Sequence, residues 1–74
     1  MLAFDDAEVI TSTANGRVQS YLSAHADIYR QQFVDDRVII HCHLPRHLLH
    51  HIQGPGVQVR FLDGTPLPGT SNDA

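Results

Sequence analysis

The stretch Asp27-Ile28-Tyr29-Arg30-Gln31-Gln32-Phe33-Val34-Asp35-Asp36-Arg37-Val38-Ile39-Ile40-His41-Cys42-His43-Leu44 decides the fold. Two β-rich runs, Asp27 to Val34 and Arg37 to Leu44, flank Asp35-Asp36, a dipeptide that suits a tight hairpin turn. With a two-residue loop, Val34 faces Arg37 and the pairing runs back to Ile28 opposite His43. Side chains alternate across a strand. One face then carries Tyr29, Gln31, Phe33, Val38, Ile40 and Cys42, and the other Ile28, Arg30, Gln32, Ile39, His41 and His43. The first is the more apolar and is expected to face the core.

Upstream, Ala7 to Thr13 is rich in β-branched residues and reads as a strand. Ala14-Asn15-Gly16 is a turn in which Asn15 can cap a helix. From Arg17 to Ala26, Val18, Tyr21, Leu22 and His25 recur at helical spacing. Downstream, Pro45 suits a first helical turn. Arg46 to Gln53 places Leu48, Leu49 and Ile52 on one side, and Gly54-Pro55-Gly56 stops the helix. Val57 to Phe61 alternates strictly and reads as a last strand. The order β-α-β-β-α-β, with right-handed crossovers, predicts an α+β, ferredoxin-like, four-stranded antiparallel sheet with both helices on one face. The first and third strands are then central. Residues 1–6 read as an N-terminal extension, 7–63 as the domain, and 64–74 as a disordered tail or linker.

Composition narrows the functional classes. The chain has 74 residues and is 42% hydrophobic, enough for one small folded core. No apolar run approaches a membrane span, and the acidic start at Asp5-Asp6 lacks the features of a secretory signal. A lone cysteine, Cys42, fits a cytoplasmic protein with no internal disulfide. The net charge of −3, with five arginines and no lysine, argues against autonomous DNA or RNA binding.

The chemistry-bearing residues do not assemble into a reaction centre. His41 and His43 share a strand face, and His47 and His51 stand four apart on the second helix, a spacing that zinc sites use. The two pairs fall on opposite sides of the sheet and cannot converge on one ion. Cys42 points away from its histidine neighbours and reads as a buried, inert thiol. Asp5, Asp6 and Glu8 are read as a cluster before the first strand, which a solvated terminus explains better than acid–base work does. Phosphate-binding motifs are missing, and Asn15-Gly16 reads as a turn. No catalytic, cofactor or metal residue is therefore expected. The uncovered sheet face lacks the aromatics of single-strand RNA readers on its central strands. It offers Arg30, Ile39, His41, His43, Gln58 and Arg60, a mildly basic, polar candidate docking face for protein or structured RNA.

The run Asn15-Gly16-Arg17-Val18-Gln19-Ser20-Tyr21-Leu22-Ser23-Ala24-His25-Ala26-Asp27-Ile28 is similar to the NGR-x-x-x-(Y/W)-L-x-x-H-(A/G)-(D/E)-(V/I) stretch in the C-terminal domain of HflX-type GTPases. Arg37-Val38-Ile39-Ile40-His41-Cys42-His43-Leu44-Pro45 resembles the RV-x-(V/I)-x-C-x-LP strand of the same domain. The likeness covers residues 8–60 and rests on packing motifs. The family's P-loop, Walker-B aspartate and N-K-x-D guanine motif are absent. The resemblance implies an excised C-terminal domain of a cytosolic GTPase that binds the large ribosomal subunit and helps split or rescue stalled ribosomes. GTP and Mg would be held by the parent's G domain, and no nucleotide-binding residue carries over. The partners implied are the large ribosomal subunit, through rRNA and ribosomal protein, and the parent GTPase domain, with no membrane. The alternative is an ACT-like regulatory domain, which shares the element order and would bind a small ligand at Thr13-Ala14-Asn15-Gly16. A metal-responsive module built on the histidines is a third option.

Overall fold

A computed structural model describes residues 4–62. Its elements are β1 (Phe4–Ser12), α1 (Gly16–His25), β2 (Asp27–Val34), β3 (Arg37–Pro45), a 3₁₀ helix η1 (Arg46–His51) and β4 (Gln58–Phe61). The strands form one antiparallel sheet in the order β2-β3-β1-β4, so β1 and β3 are central, as a ferredoxin-like α+β fold requires. No helix among the described residues is long and apolar enough to cross a membrane.

One face of the sheet is buried. Ala7, Val9 and Thr11 of β1 and Val38, Ile40, Cys42 and Leu44 of β3 are sealed beneath Val18 and Leu22 of α1 and Ile52. Leu48, Leu49 and Val59 pack at the margin of this cluster. Alternation along β3 sends Arg37, Ile39, His41 and His43 to the opposite face, which no described helix covers.

Thr11 is the one polar residue in the described core, 1% exposed, and its hydroxyl joins three segments. It donates to the Gly56 carbonyl (3.1 Å) and accepts from Asn15 Nδ2 (3.1 Å). Asn15 Oδ1 in turn accepts from the Val18 N–H (3.3 Å), capping α1. Gly56 reaches Thr11 from a φ of 82°, a left-handed conformation that disfavours any side chain. At the far turn Asp35 holds φ 55°, and the Asp36 carbonyl accepts from the Thr13 N–H (2.9 Å).

Several expectations need correction. β2 carries a bulge between Ile28 and Arg30, so Ile28 pairs with Cys42, and His43 pairs with Asp27 rather than Ile28. The extra residue rotates Ile28 onto the core side and Tyr29 onto the open face. Gln31 and Phe33 stay on the helix side through their pairing with Ile40 and Val38, yet both are exposed, because β2 is an edge strand that α1 does not cover to its end. β1 starts at Phe4, so residues 4–6 belong to the sheet rather than to an extension. The second helix is a single 3₁₀ segment ending at His51, a geometry suited to short helical pieces. β4 begins at Gln58, with Val57 partly buried before it. Residues 1–3, residue 63 and the anticipated tail at 64–74 lie outside the described residues.

The Asn15 cap is predicted to matter measurably. Asn15→Ala should cost about 1–2 kcal/mol, because it removes the cap and orphans one bond of Thr11. For a domain this small that lowers the melting temperature by about 4–8 °C or somewhat more. An unchanged melting temperature in a calorimetric scan would show that the Thr11–Asn15 link carries no stability.

Candidate docking face

Sheet register lays the open face out in rows. Arg30, His41, Glu8 and Arg60 form one, and Gln32, Ile39, Ile10 and Gln58 the next. Asp27, His43 and Asp6 form a third, and Val34, Arg37 and Ser12 a fourth. All six anticipated residues, Arg30, Ile39, His41, His43, Gln58 and Arg60, thus fall on one face. Ile39 is half-buried between Gln32 and Ile10 and forms the apolar centre.

Glu8 organises the first row. One carboxylate oxygen shares a hydrogen bond with His41 Nε2 (3.0 Å), and the other accepts from Arg60 Nη2 (3.1 Å). Its side chain is 15% exposed, against 66% for Arg60, so the anion is the sheltered partner. In the third row His43 stands between two carboxylates, with Nε2 3.7 Å from Asp6 and Nδ1 3.8 Å from Asp27. Tyr29 donates its phenol to Asp6, and its ring lies 4.9 Å from that of His43 and 6.2 Å from that of His41, between centroids. The hydrogen bond to Asp6 is the main cause of a raised Tyr29 phenol pKa, with burial second. Among the described residues no ion pair engages Arg30.

This face is not the mildly basic one expected. Arg30, Arg37 and Arg60 are balanced by Asp6, Glu8 and Asp27. Asp6 and Glu8 are strand residues facing their histidine partners, not a solvated terminus, because Ala7, Val9 and Thr11 take the buried positions of β1. Tyr29 also supplies an aromatic that strict alternation had assigned to the core. Asp6, Glu8, Ile10 and Tyr29 are therefore additions to the site, and the alternation of β1 could have found the first three.

The other candidates disperse. His47 and His51 are exposed on η1. The His51 ring lies 5.4 Å from Tyr21 and 4.0 Å from His50, and its carbonyl accepts from Arg17 Nη1 (2.9 Å). Among the described residues no group of three or more His, Cys, Asp or Glu is placed to hold a metal ion. At the Thr13–Gly16 turn the Asn15 amide is spent on Val18 and Thr11, and the Thr13 carbonyl accepts from Gln19 Nε2 (3.0 Å), which leaves little polar capacity for a ligand.

No family model, curated protein or solved structure matches the chain.

Cys42 lies directly beneath this face, fully buried, with its thiol pushed up to about 11, first by burial and then by Asp6 and Asp27. The folded value stands above the unfolded one of 9.0, so the neutral thiol is the form the fold prefers. Its contribution to stability is complete below pH 9 and is lost as the pH rises through 11. Native protein at pH 8 should therefore react with a thiol reagent only as fast as it unfolds, and stability to urea should decline between pH 9 and 11. Rapid stoichiometric labelling of the native chain at pH 8 would contradict this.

Proposed function

We propose that the chain is a non-catalytic docking and interdomain module of an HflX-type GTP-binding protein. In this reading it works in the cytoplasm and helps seat its parent on the large ribosomal subunit through the open face of the sheet. GTP and Mg belong to the parent's G domain.

The observation that carries the reading is the face itself, which leaves Arg30, Ile39, His41, His43, Gln58 and Arg60 together on the side that no described helix covers. Glu8 already holds His41 and Arg60 in place, so less side-chain entropy is lost when a partner binds. A charge-balanced face suits a mixed surface of protein and structured RNA, where alignment of charges selects the partner more than bulk attraction does. The stretches that resemble the family also fall where a shared fold would need them. Asn15 caps α1, Val18 and Leu22 enter the core, and Cys42 and Leu44 are buried in β3.

Pelleting with purified large ribosomal subunits tests this. The chain should co-sediment, and Arg30→Glu combined with Arg60→Glu should weaken binding about tenfold or more, since two reversed interface charges readily exceed 1.4 kcal/mol. Circular dichroism would confirm that the variant is folded. Failure of the folded parent chain to pellet, or binding untouched by the double reversal, would count against this face.

A further inference from the structure

A second surface, on the other side of the sheet, does not depend on the docking reading. Three of the exposed large hydrophobic residues lie on edge strand β2: Tyr29 at 49%, Phe33 at 61% and Val34 at 43% exposure. Tyr29 is occupied by Asp6 and the histidine rings, but Phe33, on the helix side, has no such partner among the described residues. Beside it on the same side, a groove of 410 Å³ runs between α1 and β2. Ser20, Ser23 and Ala24 of α1, Ile28 and Gln31 of β2, and Ile40 of β3 line it.

Edge strands are ordinarily protected by lysine, proline, a bulge or inward charge. In β2 the bulge guards only the start. Residues 30–34 are regular, eventually meeting a two-residue turn, and contain neither lysine nor proline. Because Val34 and Arg37 flank that turn, they form a hydrogen-bonded pair, and alternation then directs the N–H and C=O of Gln31 and Phe33 to the free edge.

We infer that β2 is a self-association edge, at which a second copy of this chain pairs antiparallel about a two-fold axis through Gln32. In that register Gln31 of each copy is hydrogen-bonded opposite Phe33 of the other, so the outward backbone groups of both strands are used. Gln31 lines the groove, so the register brings each Phe33 ring to the mouth of the other copy's groove, on the matching side of the sheet. Knob and hole occur on one strand, offset as a two-fold axis requires. Arg30 of each copy lies opposite Val34 of the other and next to its Asp35-Asp36 turn, so opposite charges meet at both ends. The continuous sheet would have eight strands, with both open faces uncovered.

The test uses the intact chain and two surface variants. Phe33→Ser removes the knob, and Ser23→Trp fills the hole; both positions are exposed, so the fold should tolerate the changes. Sedimentation velocity over a concentration series should show a reversible monomer–dimer equilibrium for the unaltered chain. Each variant alone should raise the dissociation constant about tenfold or more, which corresponds to at least 1.4 kcal/mol. Mixing the two variants should recover part of the dimer, because one of the two contacts is rebuilt: the Ser23→Trp chain retains its Phe33 and the Phe33→Ser chain retains its groove. A chain that stays monomeric to about 1 mM, where even a weak interface of about −4 kcal/mol would register, would overturn the inference. So would a dimer indifferent to both variants, or no recovery on mixing.

Discussion

Strand β3 buries Val38, Ile40, Cys42 and Leu44 completely, and the remaining structure is arranged around that requirement. Each of the three aliphatic side chains contributes about 1.5–3 kcal/mol when removed from water, as an upper estimate for a chain this short. A one-residue slip would exchange all four for Ile39, His41 and His43 and their neighbours, placing imidazoles in the core without partners. Pairing with both β1 and β2 holds the register from the two sides. Asn15, Thr11 and Gly56 then tie the capping turn of α1 and the loop before β4 to the same sheet.

The strand order and the central position of β1 and β3 were legible from the element order and right-handed crossovers, and the burial of Cys42 from alternation within one run of residues. Alternation is also why the β2 bulge was missed. Strict alternation sets Ile28 and Phe33 on opposite faces, since they are separated by an odd step. One extra residue lets Ile28 join the core while Tyr29 turns to Asp6. Two bulky apolar residues at odd spacing in a half-polar edge strand were the available signal. The Glu8–His41 contact was harder to foresee, because it joins residues 33 apart in the chain and needs the β1–β3 register. The second helix was placed correctly, but Pro45 and Gly54 leave too short a segment for much more than one or two helical turns.

The two faces of the domain hold different kinds of surface. On the open face, polar groups engage one another: Glu8 pairs with His41 and Arg60, and Asp6 accepts from the Tyr29 phenol. These contacts hold the side chains of Glu8, His41 and Arg60 in place. Toward the β2 edge on the helix side, the exposed Phe33 and the neighbouring groove leave apolar surface unsatisfied. A small domain with few interior residues cannot cover every edge, and apolar surface left exposed at one place is where association is cheapest.

The position of Tyr29 and Ile28 tests this arrangement most directly, through nuclear Overhauser contacts in the folded chain. The account predicts contacts from the Tyr29 ring to the His43 ring, and from the Ile28 methyls to the core around Cys42 and Ile40. Contacts from the Tyr29 ring to the Leu22 methyls, with Ile28 beside His43, would mean an unbulged β2 and a different open face.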